Sequence, residues 1–286
     1  MTSTIIDVSA AQGLIDWPTL AASKRCDGAI LKATEGNAFV DQTFAANWAG
    51  ATACGLLLGT YHFAHPDQMA DDAKHEAEHY VLSVAKHWDS ETPLIFALDI
   101  EEARKVRAGA EFVAWCRAFV ERVEDLTGFS CWVYTGGPFY SEHAGAVSDA
   151  DAAFFAARPL WIAAYVNDAR RYVAMTPWRF AGHTLHQWSG DVGPGNTPGI
   201  RYPGIAGNVV DTSRYDGSIE SLRMRLARNR DTLPAPPPDD PITEPGTPRA
   251  KSTPRMQAVR PEEGVVLSEF LGSLANDTDP EPPKAA

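Results

Sequence analysis

Eight short apolar runs recur through the first 230 residues, and their spacing constrains the fold more than any other feature of the chain. Each run is short enough to be one buried strand, and most are bounded by glycine, proline or a stretch with helical periodicity. The runs cover residues 4–9, 28–36, 55–64, 93–101, 131–135, 160–165, 183–188 and 208–213. Helices are predicted over residues 17–23, 41–53, 67–87, 108–126 and 218–228.

Strands that alternate with helices predict a parallel sheet. Eight of them, without a glycine-rich phosphate loop, favour a closed barrel over an open dinucleotide-binding sheet. The barrel is expected to be irregular, because the segments between the last three runs are poor in helical pattern. We therefore expect an α/β fold in which helices cover the first five strands and loops join the last three.

Composition changes sharply after this region. Residues 231–286 hold 12 of the 21 prolines and carry ten acidic against five basic residues. Proline removes backbone donors and favours extended chain, so we predict a folded domain over 1–230 and a disordered, proline-rich acidic tail over 231–286. The segment 264–275 is apolar enough for a short helix within that tail.

The fourth apolar run ends in two carboxylates, Asp99 and Glu101. Residues two apart on a strand point to the same side, so the two carboxyl groups are expected to lie together. A close pair of acids splits its pKa values, and one member then holds a proton near neutral pH. Such a pair can protonate a leaving group. Two solvated acids at a strand end are an equally good interpretation of this stretch alone.

The other strand ends add weight to the first interpretation, because active sites of parallel barrels lie where the strands end. Acidic and aromatic side chains recur there. They are Asp7, Tyr61, Phe63, Asp99, Glu101, Tyr134, Tyr165, Gln187, Trp188 and Asp211. Aromatic rings stack on the apolar faces of sugars, and paired acids break glycosidic bonds. Each aromatic alone is more often a core residue; their shared position favours sugar chemistry.

Other classes of function find little support. The net charge of −12 argues against a nucleic-acid partner, because phosphate binding requires a basic face. Four dispersed cysteines and unclustered histidines predict neither a metal site nor a cofactor. No apolar run is long enough to cross a membrane, and no secretory signal is visible at the N-terminus. We expect a monomer.

A series of short motifs occurs in order along residues 1–220. They are Asp7-Val8-Ser9, Gln12-Gly13, Asp16-Trp17, Lys32-Ala33-Thr34-Glu35-Gly36, Gly59-Thr60-Tyr61-His62-Phe63, Leu98-Asp99-Ile100-Glu101, Leu160-Trp161-Ile162-Ala163-Ala164-Tyr165 and Val210-Asp211. This ordered set resembles glycoside hydrolase family 25, the Chalaropsis-type muramidases found among phage endolysins. The resemblance implies a TIM-like barrel of five β/α units followed by three further strands. It implies an enzyme made in the host cytoplasm that acts at the bacterial cell wall after release through a separate pore. It also implies cleavage of the β-1,4 bond between N-acetylmuramic acid and N-acetylglucosamine in the glycan strands of peptidoglycan.

The resemblance further implies roles for individual residues. Glu101 would be the general acid and base, and Asp99 would orient the substrate and, as an anion, raise the pKa of Glu101. Asp7 and Asp211 would be further carboxylates of the site. Tyr61, Tyr134, Tyr165 and Gln187 would line the sugar groove. Two positions depart from the family pattern: Trp188 replaces a tyrosine but keeps an aromatic ring, and Ser213 replaces an asparagine.

Two mechanisms and three functions stay open at this stage. The Asp-x-Glu spacing is typical of enzymes in which the substrate's own N-acetyl oxygen attacks the anomeric carbon with retention. Direct attack by water, with inversion, is the other mechanism. Besides a muramidase, the chain could be a catalytically silent wall-binding module of a phage particle, or a glycosidase for another N-acetylated polymer such as chitin.

Overall fold

The computed structural model describes residues 1–90, 92–103, 105–106, 108–190, 199–206 and 209–229. All eight predicted strands are present in this part of the chain, together with one short additional strand. The strands are β1 (Ser3–Val8), β2 (Gly28–Glu35), β3 (Phe39–Val40), β4 (Leu57–Phe63), β5 (Ile95–Asp99), β6 (Cys131–Gly136), β7 (Leu160–Ala163), β8 (Leu185–Ser189) and β9 (Asp211–Tyr215). The helices are α1 (Trp17–Ala22), α2 (Phe44–Ala53), α3 (Asp72–Ala85), α4 (Ala110–Thr127), α5 (Gly137–Ala144), α6 (Asp149–Ala156), α7 (Arg170–Val173) and α8 (Ile219–Asn229).

Eight strands close into a barrel in the order β1-β2-β4-β5-β6-β7-β8-β9, and β9 pairs back with β1. The additional strand β3 pairs antiparallel with the end of β2 and stands at the carboxyl end of the barrel. Helices follow each of the first five barrel strands, with two of them, α5 and α6, after β6. The predicted α/β fold class, an irregular TIM-like barrel, is therefore confirmed.

Strand β9 departs from the predicted parallel sheet, because it runs antiparallel to both β1 and β8. A parallel neighbour requires a crossover to the opposite end of the barrel, whereas an antiparallel strand starts where its predecessor stops. The sequence before β9 lacks the helical pattern of a crossover. As a result Asp211, the first residue of β9, lies at the same end of the barrel as the last residues of the parallel strands.

The expectation that only loops join the last three strands is partly wrong. Helix α7 lies between β7 and β8, followed by a 3-10 turn at Pro177–Arg179. A four-residue helix spans little more than one turn, so it leaves no hydrophobic periodicity for a sequence pattern to detect.

The barrel interior is filled by apolar side chains that alternate along the strands. This buried cluster contains Ile5, Ile30, Leu57, Ile95, Ala97, Trp132, Tyr134, Trp161 and Leu185, together with Leu222 and Leu226 of α8. Strand β9 runs away from the carboxyl end, so α8 follows at the opposite end and its two leucines close the barrel there. The interior is thus a packed core, and only its carboxyl end is available for a site.

The predicted domain boundary at residue 230 and the helix predicted near 264–275 lie outside the described residues, so both stay predictions. None of the described helices combines the length and the apolar character needed to cross a membrane. All four cysteines are free thiols, and three of them are buried.

Candidate active site

The alternation that fills the barrel with apolar side chains also directs polar ones inward at its carboxyl end. On the first seven barrel strands, the residue two or four positions after an inward-facing apolar residue points the same way. These residues are Asp7, Lys32, Tyr61, Asp99, Tyr134 and Gln187, with Ala163 as the one small apolar member. Asp211 joins them from β9, directly opposite Asp7 in the strand register. The fold therefore brings together most of the acidic and aromatic residues that the sequence predicts.

Asp99 lies at the centre of this group. It is the last residue of β5, and Phe63 and Tyr134 are its register neighbours on the adjoining strands. The side chain is only 6% exposed, and its Oδ1 atom has no hydrogen-bond partner among the described residues. A buried carboxyl oxygen without a donor is costly for the protein alone, so it is a position from which a ligand can be held.

Glu101 follows two residues later, in the loop beyond the strand. The predicted strand extended through Glu101, but β5 ends at Asp99. The backbone keeps its direction for one more residue, because the N–H of Ile100 donates to the carbonyl of Tyr134 at 3.0 Å. Ile100 is buried and Glu101 is exposed. The pair therefore has one carboxyl group inside the barrel mouth and one at its edge.

Both acids have raised pKa values in the folded protein. Burial, and then the charge of Glu101, raise the pKa of Asp99 well above its usual range, although Lys32 acts in the opposite direction. Glu101 is exposed as a residue, but protein atoms around its carboxyl group raise its pKa too, followed in effect by the charges of Asp211 and Glu102. The predicted effect of an ionised Asp99 on the pKa of Glu101 stays a prediction, because Asp211 is the charge with the largest effect there.

Gln187 has a different place from the predicted one. It was expected to line the groove, yet it is only 1% exposed and its amide is engaged on both sides. Its Oε1 accepts from the hydroxyls of Tyr134 at 2.9 Å and Tyr165 at 3.2 Å. Its Nε2 donates to both carboxylate oxygens of Asp7, at 3.2 and 3.1 Å. Gln187 therefore links the tyrosines to Asp7 and fixes their orientation from a buried position.

Three tyrosines surround the acids, and each keeps its proton. Burial, and then neighbouring carboxylates, raise the pKa values of Tyr61 and Tyr134 well above the usual range, and that of Tyr165 is raised as well. The ring of Trp161 packs edge-on beneath two of them, with centroids 4.6 Å from Tyr134 and 6.5 Å from Tyr61. The hydroxyl groups are thus neutral donors on a rigid apolar base.

Asp211 lies close to Tyr165 across Gly190. A Cβ atom at Gly190 would come within 2.6 Å of the Asp211 Oδ1 atom and 2.8 Å of the Tyr165 ring, so only glycine permits this approach. Two residues beyond Asp211, the hydroxyl of Ser213 accepts from the Trp161 indole at 2.9 Å. The serine that replaces the family's asparagine thus supports the base of the site.

The remaining predicted residues differ in their positions. Phe63 is half-buried at the edge of the site, with its ring centroid 4.8 Å from the Lys32 ammonium. Trp188 follows Gln187 in β8, and strand alternation turns it to the other face, at a point where the register of β8 shifts. Trp188 is therefore the predicted residue that the geometry does not bring into the group. Lys32, a strand-end residue in one of the family motifs for which the resemblance implies no role, also belongs to this group, two positions after the inward-facing Ile30.

No group of three or more His, Cys, Asp or Glu side chains within the described residues is arranged to hold a metal ion. The reactive groups of the site are its carboxyl groups and hydroxyls. A buried acid and an exposed acid, both with raised pKa values, together with tyrosine donors form the kind of arrangement that cleaves glycosidic bonds.

Comparison with known proteins agrees with this geometry. The family model described as glycosyl hydrolases family 25 matches residues 6–197. YegX of Escherichia coli is 30% identical over 222 residues, which are 76% of this chain and 71% of that protein. Lysozyme M1 of Streptomyces globisporus is 28% identical over 232 residues, covering 78% of this chain and 71% of that protein. The lysozyme structure from Streptomyces coelicolor has the same fold, with a TM-score of 0.62 and 24% identity over 81% of this chain and 98% of its own. The motif resemblance is thus confirmed, and the chain belongs to glycosyl hydrolase family 25 and is a glycoside hydrolase.

Proposed function

We propose that the protein is an N-acetylmuramidase, which hydrolyses the β-1,4 bond between N-acetylmuramic acid and N-acetylglucosamine in peptidoglycan. The observation that carries this proposal is the Asp99–Glu101 pair, in which the buried Asp99 has an Oδ1 atom with no partner among the described residues and Glu101, at the edge of the barrel mouth, has a raised pKa. Lysozyme M1, which shares most of the chain's length, is named for the same activity.

In the proposed mechanism Glu101 transfers its proton to the glycosidic oxygen as the bond from that oxygen to the anomeric carbon breaks. The carbonyl oxygen of the substrate's N-acetyl group bonds to the anomeric carbon, which gives a cyclic oxazolinium ion. Water then attacks the same carbon and gives a proton to the Glu101 carboxylate, and the ring opens. The product retains the β configuration, and Glu101 is again protonated.

Asp99 orients the N-acetyl group in this proposal. The Oδ1 atom of Asp99 is a buried acceptor oxygen that has no donor among the described residues. The N–H of the substrate's acetamido group supplies that donor and turns the carbonyl oxygen toward the anomeric carbon. The positive charge of the oxazolinium ion is then balanced by the newly ionised Glu101, with Asp7 and Asp211 nearby.

We further propose that the enzyme is bacteriolytic and serves as a phage endolysin or a related wall-degrading enzyme acting at the bacterial cell wall. This role is supported by the family motifs, which resemble those of muramidases found among phage endolysins.

Product analysis tests the muramidase proposal. Peptidoglycan digested with the protein should yield fragments whose new reducing ends carry muramic acid, as read by mass spectrometry. Proton NMR of a soluble tetrasaccharide digest should show the β-anomer first, because the substrate-assisted route retains configuration. An α-anomer formed first would contradict the retaining mechanism. Release of fragments from chitin but not from peptidoglycan would contradict peptidoglycan as the proposed substrate. Binding to the cell wall without release of any fragments would indicate a catalytically silent module.

The pH dependence should follow the carboxyl group of Glu101. Its raised pKa keeps it protonated above the pH at which an ordinary glutamate ionises, so kcat/KM is high below that pKa and falls as the pH rises through it. Asp211 is the charge that raises this pKa most. In the Asp211→Asn variant, the fall in kcat/KM on the alkaline side of the pH profile, its alkaline limb, should therefore occur at lower pH. NMR titration of the Glu101 carboxyl carbon should report the same change.

A matched control is Glu142→Gln, which removes an exposed acid of α5 and should leave the limb where it is. A limb that does not move in the Asp211→Asn variant, or that moves to higher pH, would show that another group controls the alkaline loss of activity.

A further inference from the structure

The rim of the barrel beside β2 carries an exposed aromatic surface that the proposed chemistry does not use. Strand β3 consists of Phe39 and Val40, which are 49% and 44% exposed. It pairs with the last two residues of β2, so both side chains stand at the mouth of the barrel. Large apolar side chains at a barrel mouth gain free energy when a ligand covers them, so this position points to an apolar surface of a ligand.

A polar row lies directly beneath this aromatic surface. The ammonium of Lys32 is 5.9 Å from the ring centroid of Phe39 and 4.8 Å from that of Phe63. The same ammonium donates to Glu35 at 2.6 Å, and the other carboxylate oxygen of Glu35 is 2.9 Å from the His65 Nε2. The side chains of Lys32, Glu35 and His65 are 15, 28 and 19% exposed. Donors and acceptors are thus accessible at the edge of two aromatic rings.

Contacts with α3 and the loop after β4 fix this rim in place. His79 of α3 donates from Nε2 to the carbonyl of Phe39 at 3.0 Å. The backbone N–H of His65 donates to the buried carboxylate of Glu76 at 3.1 Å. The N–H of Gly36 donates to the carbonyl of Phe63 at 3.1 Å. A ligand would therefore meet a surface that is already ordered, which lowers the entropy lost on binding.

The rim is continuous with the acids. Lys32 is the register neighbour of Tyr61, and Phe63 is the register neighbour of Asp99. The positive charge of Lys32 lowers the pKa values of both Asp99 and Glu101, so the ammonium lies within electrostatic reach of the pair. A glycan strand with a bond at Glu101 would therefore extend directly onto this rim.

We propose that Phe39, Phe63 and the Lys32–Glu35–His65 row form a sugar-binding subsite for an N-acetylated pyranose next to the one whose bond is cleaved. Phe39 stacks on the apolar face of the ring, and the polar row binds its hydroxyl or acetamido groups. Aromatic rings and charged side chains lie next to each other on this rim. A sugar ring has an apolar face and polar hydroxyl groups, so it matches this surface better than an apolar protein surface does. This inference rests on the proposed function, because it assigns the position to the same glycan strand.

The test compares Phe39→Ala with Phe180→Ala on a soluble tetrasaccharide of alternating N-acetylglucosamine and N-acetylmuramic acid. Phe180 is 90% exposed, lies after the 3-10 turn that precedes β8 and has the Arg179 guanidinium 4.9 Å from its ring centroid, so it is an exposed aromatic beside a cation at the amino end of a barrel strand. Phe39→Ala should raise KM roughly three- to tenfold and leave kcat within about twofold, because stacking binds ground state and transition state alike. Phe39→Tyr should restore the wild-type KM, and Phe180→Ala should match the wild type.

Binding in the inactive background separates this inference from the proposed function. Each substitution is combined with Glu101→Gln, and the affinity for the same tetrasaccharide is measured by calorimetry. Weaker binding with Phe39→Ala, by the same factor as the rise in KM, supports the subsite even if the wild-type protein releases no reducing ends. Equal KM and equal affinity for the Phe39→Ala and Phe180→Ala proteins would overturn the subsite while leaving the muramidase proposal intact.

Discussion

Replacing Glu101 by Gln should reduce the rate of reducing-end release from peptidoglycan by roughly 10²- to 10⁴-fold, the usual contribution of a positioned general acid. The amide has the same shape as the acid but carries no proton that it can transfer to the glycosidic oxygen. The same amide cannot take a proton from water in the second step. Both halves of the proposed mechanism are therefore lost in this variant, whereas substrate binding should be nearly unchanged.

The fold should survive this substitution, because Glu101 is exposed in a loop beyond β5 and no strand contact depends on its charge. Thermal unfolding followed by circular dichroism checks this point. Glu102→Gln is a neighbouring control: it removes a carboxylate that raises the pKa of Glu101, so it should be compared at a pH below the alkaline limb, where its rate should match the wild type. A Glu101→Gln protein that still clears a turbid cell suspension would exclude Glu101 as the acid.

Much of this site could be predicted from the sequence because strand alternation is a local property. An apolar residue at one position of a barrel strand fixes the side to which the residue two positions later points. Asp7 after Ile5, Asp99 after Ala97 and Tyr134 after Trp132 all follow this pattern, and the structure places each of them at the carboxyl end. The same pattern predicts Lys32.

Properties that depend on depth and on long-range pairing could not be predicted in this way. The burial of each carboxyl group depends on where β5 ends, and because the strand ends two residues early, Asp99 lies inside the barrel mouth and Glu101 at its edge. The direction of β9 depends on where the chain returns after β8. Trp188 directly follows Gln187 in β8, so strand alternation places the two side chains on opposite faces, and the aromatic character of Trp188 alone does not place its ring in the groove.

Gln187 illustrates the same limit and gives the second large prediction. Its amide joins Asp7 to both Tyr134 and Tyr165. Gln187→Leu is close in volume but removes the donor to Asp7 and the acceptor of two hydroxyls. Asp7 and the Tyr134 hydroxyl are both buried, and the loss of a hydrogen-bond partner from a buried polar group costs about 1–3 kcal/mol. We expect a loss of roughly 2–5 kcal/mol in the free energy of unfolding, measured with urea.

The Gln187→Glu variant distinguishes the hydrogen bonds to Asp7 from the packing of the side chain. It keeps the acceptor for the tyrosines but places a second carboxyl group beside Asp7. The introduced group is expected to have a pKa above its unfolded value, since its charge would be buried next to another acid. A group with a raised pKa in the folded state contributes its full stability below its unfolded pKa and loses it as the pH rises through the folded pKa. Relative to the wild type, the Gln187→Glu protein should therefore be destabilised at neutral pH and recover on acidification.

The Gln187→Leu protein should recover less on acidification, because it carries no introduced carboxyl group and no change of pH restores an acceptor to the Tyr134 and Tyr165 hydroxyls. The difference between the two pH profiles thus measures the tyrosine half of the network by itself. Equal stability of the wild-type and Gln187→Glu proteins at neutral pH would mean that Asp7 is not held by this amide. If Gln187 holds Asp7 and the two tyrosines in place, kcat should fall more than KM rises in both variants. The tyrosine hydroxyls and Asp7 would then lose the geometry in which they contact the transition state.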